Sequence, residues 1–467
     1  FWLKPLSSPD IGCEGRRLWL MILRPRCLLY VAIAVCIAWA FVLVRWLSWP
    51  GSVDEADPEI RDIMELADWL RSQGAFIHHC LVAKRCPPHG GRCFSAACGL
   101  RKGELLLSIP AALQIVPFAS AAASTCPGLG EELKRVEGLN FKEPDLLLLL
   151  RLMQERGRGA SGPFARYFRT LPADFPRVLW DEQEQRQCLA GTPGESRVSR
   201  RFMRDREEAA ILQRCTEMSA EDCRWAKLIV ATRGFSGSGE GGRRREWQAL
   251  VPFADVFNDA IEPSATWWQN SSTGDFRVAV VADVPAGNEV LISYGLKNNE
   301  KLLTRYGYVH VDSPHDAATI YLRDSDSSGP PPFLTLSLGL EEPSALRSAL
   351  RPLGVLRALV DNSNAFQGDS RRREVAVLTI VRERCEVAAR AWGGQAAVSV
   401  GSQWLCSGYR SGLVSIADAC TVFAELAIAD LEGADSARSL GGAAGQLARR
   451  LFAAWKELYS TLDVVGS

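Results

Sequence analysis

Leu250-Val251-Pro252-Phe253-Ala254-Asp255-Val256-Phe257-Asn258-Asp259 is an apolar stretch that carries its polar side chains at its far end. Buried Asp and Asn need partners, so Asp255, Asn258 and Asp259 either satisfy loop backbone or hold a polar ligand. Downstream, Val290-Leu291-Ile292-Ser293-Tyr294-Gly295 sets a tyrosine at the end of a β-rich run, just before a glycine turn. Such a tyrosine is either core with a satisfied hydroxyl or one of the few polar groups of a pocket. The runs Arg277–Val284 and Glu289–Tyr294 are split by Pro285-Ala286-Gly287-Asn288, which reads as a turn between strands. Beyond them, Asn299 is expected to cap a short helix over 300–306.

Outward from this β-rich block the pattern changes. Upstream, Ala75–Pro110 mixes short apolar alternations with Pro87-Pro88 and Gly90-Gly91, and Glu104–Ile109 reads as a buried strand closed by Pro110. Before it, Ile60, Ile63, Met64, Ala67 and Leu70 share one helical face. Residues 125–232 read as helical. Pro144 suits a first helical position ahead of five leucines, and Ser219-Ala220-Glu221-Asp222 resembles a capping box. Residues 334–467 are helical again, after Asp324–Pro332 (DSDSSGPPP), a linker by composition. The order β, α, β, α implies an α+β fold: a β-rich domain with a helical insertion, followed by an all-helical domain.

At 467 residues the chain can build two or three domains. Lys plus Arg equals Asp plus Glu, 54 each, so nothing draws it in bulk to nucleic acid, and no nucleic-acid partner is expected. The runs Arg243–Arg245 and Arg371–Arg373 lie in polar stretches and read as solvated loops. Fourteen cysteines contain no paired CxxC spacing; even the densest group, Cys80, Cys86, Cys93 and Cys98, reads as buried or free thiols, and no metal is expected. Residues 1–50 form a targeting segment. Leu28–Val44 is unbroken and apolar, preceded by Arg16, Arg17, Arg24 and Arg26 and followed by Arg45-Trp46-Leu47. The span 28–47 is either a retained single-pass membrane anchor or part of a cleaved targeting peptide. If it is retained, the positive-inside rule leaves the N-terminus cytosolic and the rest of the chain across the membrane.

Taken together, these blocks resemble a known family. VPFADVFND (251–259), DVPAGNEVLISYG (283–295) and NNEKLLTRYGYV (298–309) follow WAKLIVATRGF (225–235), YFRTLPADFPRVLWDEQEQRQCLAGT (167–192) and GGRCFSAACGLRKGELLLSIP (90–110). In that order they resemble the SET-domain protein methyltransferases, in the branch of the Rubisco large-subunit lysine methyltransferase and the actin-histidine methyltransferase. The resemblance covers about residues 60 to 320. It implies a SET domain over 60–322 with a helical insertion at about 125–225, and a helical substrate-binding domain over 334–467.

The resemblance implies S-adenosylmethionine as cofactor and a protein as substrate, bound by a monomer through its helical domain. Gly90, Gly91 and Arg92 would meet the methionine end of the cofactor, and Arg233 its carboxylate. Asp255, Asn258 and Asp259 would line the cofactor pocket. Tyr294 stands at the catalytic tyrosine, while Phe235, Tyr306 and Tyr308 would wall the target side chain. The histidine branch carries Asn and Trp at the positions of Phe235 and Ala254; the lysine branch carries Phe and Ala, so lysine is the expected target. Two residues depart from the family: Asp259 stands where an Asn-His pair has its histidine, and Cys93 stands for a turn glycine. An inactive SET scaffold that binds a protein partner, or a histidine methyltransferase, are the alternatives.

Overall fold

The computed structural model describes residues 57–86, 91–117, 143–216, 218–237, 247–311, 313–322, 335–339, 349–361, 369–434 and 440–463. The apolar run 28–47, Gly90, Arg243–Arg245 and the stretch 324–332 lie outside the described residues. Residues 58–467 form one unit, described here by itself.

Helix α1 (Pro58–Ser72) opens on a proline, whose missing N–H is harmless in a first turn. Its Ile60, Ile63, Leu66, Ala67 and Leu70 are buried, at helical spacing. Strands β1 (Phe76–Ile77), β2 (Leu81–Cys86), β3 (Gly91–Ala96) and β4 (Leu105–Ile109) follow. The insertion then runs through α2 (Glu143–Gly157), α3 (Ala165–Thr170), α4 (Glu182–Leu189), α5 (Glu195–Thr216) and α6 (Ala220–Arg233). Ser219 caps α6, its Oγ accepting the Asp222 N–H at 3.1 Å.

Strands resume with β5 (Gly234–Gly237), β6 (Trp247–Leu250), β7 (Asn258–Asp259), β8 (Ala265–Gln269), β9 (Phe276–Val280) and β10 (Leu291–Ile292). The main sheet has the order β1-β4-β9-β8. β2 pairs with β3 and β5 with β6, both antiparallel, whereas β7 and β10 pair in parallel. Helix α7 (Asn299–Tyr306) is capped by Asn298, one residue earlier than expected: Asn298 Oδ1 accepts the Lys301 N–H at 3.1 Å. Asn299 is unavailable for that role because its buried side chain bonds Asp316 and the His310 carbonyl.

Strands β11 (Ala317–Tyr321) and β12 (Thr335–Gly339) pair antiparallel, so the stretch read as a linker connects two partners of one ladder. Four helices end the described chain: α8 (Pro352–Asp361), α9 (Ser370–Trp392), α10 (Val400–Glu432) and α11 (Gly442–Asp463). Arg371–Arg373 open α9 and are not a loop; Asp369 caps that helix by accepting the Arg372 N–H. α10 is long and apolar enough to cross a membrane, yet Leu405, Leu413 and Phe423 bury it in the helical core.

Two hydrophobic cores result. One joins α1, the main sheet and α2, with Leu66, Phe94, Leu107, Leu150 and Phe276 at its centre. The other joins Val178, Cys188 and Phe202 of the insertion to Leu338, Phe423 and Trp455. The later part of the insertion therefore packs on the C-terminal helices. Arg410 of α10 ties them further, donating to the carbonyls of Cys188, Ala190, Ala391, Trp392 and Gly394. Removing the donor would leave several buried carbonyls unpaired. Arg410→Met is expected to lower unfolding stability by about 3 kcal/mol, measured by urea denaturation.

The reading of the cysteines as buried or free thiols is corrected. Cys80–Cys98, Cys86–Cys93, Cys188–Cys406 and Cys385–Cys420 are disulfides, and Cys223 is free. The partners stand 18, 7, 218 and 35 residues apart, so no short motif announces them.

Candidate active site

The end of α6, the turn before β7, and β10 converge. Arg233 closes α6, and its Nη1 donates to the Asp255 carbonyl at 2.8 Å and to Asp255 Oδ2 at 3.3 Å. Asp255 sits in a short 3-10 turn (Ala254–Val256). Phe253 enters that turn at φ 74, the one non-glycine left-handed backbone among the described residues. Such strain persists where packing over-determines it; the Phe253 ring lies 4.5 Å from that of Phe94.

Tyr167, which the sequence reading missed, donates its hydroxyl to Asp255 Oδ2 at 3.1 Å. It is fully buried, and burial together with the Asp255 charge pushes its pKa well up, so it stays a neutral donor. Asp255 Oδ1 is buried and without a partner among the described residues. Arg92, on β3, donates to the Thr170 carbonyl. Burial and the nearby Arg233 charge lower its pKa. Two guanidiniums thus lie near the Asp255 carboxylate, with Arg92 also 3.7 Å from Glu59, beside a carboxylate oxygen that has no partner among the described residues.

Asn258 spans the gap to the other side. Its Nδ2 donates to the Arg92 carbonyl at 3.0 Å and to Glu289 Oε1 at 2.8 Å, and Asn258 pairs in register with Leu291. Glu289 is a second residue the sequence reading missed. A side chain bonded across 31 residues of chain gives no local signal.

Beyond β10 lies a cluster of phenols. Tyr294, Tyr306 and Tyr308 have ring centroids 5.4, 6.2 and 6.3 Å apart. Gly307 brings two of them together: it ends α7 at φ 76, and a Cβ there would meet Pro176 at 3.0 Å. The Tyr294 hydroxyl donates to the Phe257 carbonyl at 2.8 Å. Burial raises its pKa, an effect partly offset by the Arg233 charge, which couples the two halves of the site.

Asp259 accepts the Tyr308 hydroxyl, so its carboxylate is turned to the phenols. Phe235 packs at 4.6 Å from Phe276 and 5.3 Å from Trp267, whose Nε1 donates to the Ser293 carbonyl. It is buried in the same core against which Tyr294 packs. Gly91 opens β3, and Cys93 is bonded to Cys86 on the facing strand.

A cavity of 630 Å³ between α5, α6 and α7 includes Arg201, Gly234, Ser236, Gln248 and Tyr306 in its lining. A second, of 910 Å³, includes Glu65 and Trp225 and touches none of the residues above. His78, His79 and Cys80 also lie together, as do Cys86, Cys93 and Glu289, but each of these cysteines is held in a disulfide.

No protein-family model matches the chain. SET domain-containing protein 4 of Artemia parthenogenetica is 23% identical over 287 residues, covering 58% of this chain and 69% of that protein. The chloroplastic Rubisco large-subunit N-methyltransferase of Nicotiana tabacum is 24% identical over 383 residues, 72% of this chain and 74% of the relative. The actin-histidine N-methyltransferase of Mus musculus is 24% identical over 241 residues, 49% and 39% respectively. The SET domain of the Rubisco enzyme, solved with lysine and S-adenosylhomocysteine, superposes with a TM-score of 0.55 at 20% identity, over 81% of this chain and 94% of that one. Another structure of that enzyme holds S-adenosylmethionine, with the same TM-score at 19% identity. The chain therefore has the α+β SET fold with a helical C-terminal region, and is similar in sequence and architecture to the branch that holds the Rubisco large-subunit and actin-histidine methyltransferases.

Proposed function

We propose that the chain is an S-adenosylmethionine-dependent protein methyltransferase whose acceptor is a lysine of a non-histone protein. The observation that carries this reading is the pairing of two sites within one connected network. One has two guanidiniums, Arg92 and Arg233, around Asp255, whose Oδ1 is unpartnered. That donor set fits an amino-acid end: a carboxylate for the guanidiniums and an ammonium for the orphaned oxygen. The other is the phenol cluster, linked to it through Asn258-Asp259 and β10. Bound there, S-adenosylmethionine would supply an electrophilic methyl on a sulfonium.

The residues of the chain do the rest. Tyr294, a neutral phenol at neutral pH, orients the attacking amine. Tyr306 and Tyr308 exclude water and hold the side chain by contact with their rings. Free lysine has a pKa of about 10.4, so the amine must lose its proton before it attacks, and the positive sulfonium of the bound cofactor would favour that loss. Phe235 and Ala254 support lysine as the acceptor. The helical domain, tied to the insertion by Arg410 and Cys188–Cys406, would hold the protein substrate.

The four disulfides support an oxidising compartment, and with the basic-flanked apolar run 28–47 they favour a membrane-tethered enzyme facing away from the cytosol. Labelled-methyl transfer from S-adenosylmethionine to cell-extract proteins, followed by acid hydrolysis, tests the reaction. Methyllysine is expected; methylhistidine alone would replace lysine with histidine, and no transfer would leave the scaffold reading. In calorimetry, Arg233→Ala is expected to weaken S-adenosylmethionine binding about 10- to 100-fold, as loss of a charged hydrogen bond implies.

A further inference from the structure

Asp259 lies where three groups meet. Its Oδ1 accepts the Tyr294 backbone N–H at 2.6 Å. Its Oδ2 accepts the Tyr308 hydroxyl at 2.6 Å and faces His310 Nε2 at 2.9 Å. Its side chain is 7% exposed. Burial pushes its carboxyl up, but the hydrogen bonds from His310, Tyr308 and the Tyr294 N–H outweigh that and hold it below the usual carboxylate range. A nearly buried anion therefore stands against the phenol cluster at neutral pH.

An ammonium of the chain itself has settled at this cluster. Lys297 Nζ donates to the Tyr294 carbonyl and lies 5.5 Å from the centroid of the Tyr306 ring. Burial lowers its pKa, and the Asp259 charge counteracts that. The Lys301 and Arg305 charges oppose the ammonium as well, so within the cluster Asp259 is the group that favours the alkylammonium.

We propose that Asp259 is a specificity-determining residue that makes the phenol cluster an alkylammonium site and so selects lysine over histidine as methyl acceptor. The proposal rests on the methyltransferase reading above. The physical reason is charge. Lysine arrives protonated, and an anion a few ångströms away favours that form; the gain for an ammonium over a neutral imidazole is about tenfold to a hundredfold at the effective dielectric of such sites. Aromatic faces add a smaller preference of the same sign. Because the anion stabilises the arriving form, its effect falls on KM more than on kcat.

The test uses the full chain and two small competitors, n-butylammonium and imidazole, in the labelled-methyl assay. Wild type is expected to be inhibited by n-butylammonium at a concentration at least about tenfold below imidazole. Asp259→Asn should raise the n-butylammonium inhibition constant and the KM for extract protein about tenfold, leave imidazole unchanged, and change kcat less. Asp259→Glu, which keeps the charge, should retain the preference, and guards against a loss caused by misfolding of the Asn variant. An unchanged competitor ratio in folded Asp259→Asn, or no preference in wild type, overturns the proposal. If wild type transfers no methyl at all, the enzymatic reading fails by itself. Direct titration of n-butylammonium into wild type and Asp259→Asn then still decides whether Asp259 recruits an ammonium.

Discussion

Replacing Tyr294 with Phe is expected to cut the methyl-transfer rate by about 100- to 1,000-fold, the usual cost of removing one preorganised polar group at a reacting centre. The phenol is held in place at both ends: its hydroxyl donates to Phe257 at 2.8 Å and its backbone N–H to Asp259 at 2.6 Å. The ring stays in position in the variant because Tyr306 and Tyr308 still pack against it. Loss of one hydrogen bond should lower stability by only about 1 kcal/mol. The informative result is thus a collapse in rate with S-adenosylmethionine binding preserved in calorimetry. Transfer that survives undiminished would remove Tyr294 from the reaction, whatever the fold.

The second large effect concerns stability. The Cys188–Cys406 bond joins the insertion to α10 across 218 residues. A cross-link that closes so long a loop restricts the unfolded chain strongly, by about 5 kcal/mol on the chain-entropy account and about 2–5 in practice. Cys188→Ser with Cys406→Ser is therefore expected to lower stability by about 2–5 kcal/mol in oxidised protein, measured by guanidinium denaturation without reductant. In dithiothreitol, wild type and double variant should converge, since reduction removes the same constraint. A double variant as stable as oxidised wild type would show that packing of Val178, Phe202 and Phe423 holds this junction unaided.

Much of the site was legible because chemistry-bearing residues lie at the edges of apolar runs. Asp255, Asn258 and Tyr294 each follow such a run; in the structure Asp255 bonds Arg233, Asn258 bonds the Arg92 carbonyl, and Tyr294 lies in the field of the Arg233 charge. Tyr167 and Glu289 were not legible. Tyr167 lies 88 residues from its partner Asp255 and looks like any aromatic of an amphipathic helix. Glu289 looks like a solvated strand end. The cap of α7 was misplaced by one residue because two asparagines are adjacent, and only the tertiary contact of Asn299 with Asp316 shows which is free to cap. Phe253 gave no warning of its left-handed backbone, since nothing local asks for it.

By itself the sequence determined the α+β order of elements, the apolar face of α1, the capped start of α6, and the ordered motif blocks, because helical and strand periodicities and caps are local properties. Only the tertiary structure decided which cysteines pair, that the later part of the insertion shares a core with the C-terminal helices, and that Asp259 faces phenols and an imidazole. These are contacts between segments up to 218 residues apart. They exist only once burial has brought distant side chains together, and no local pattern encodes them.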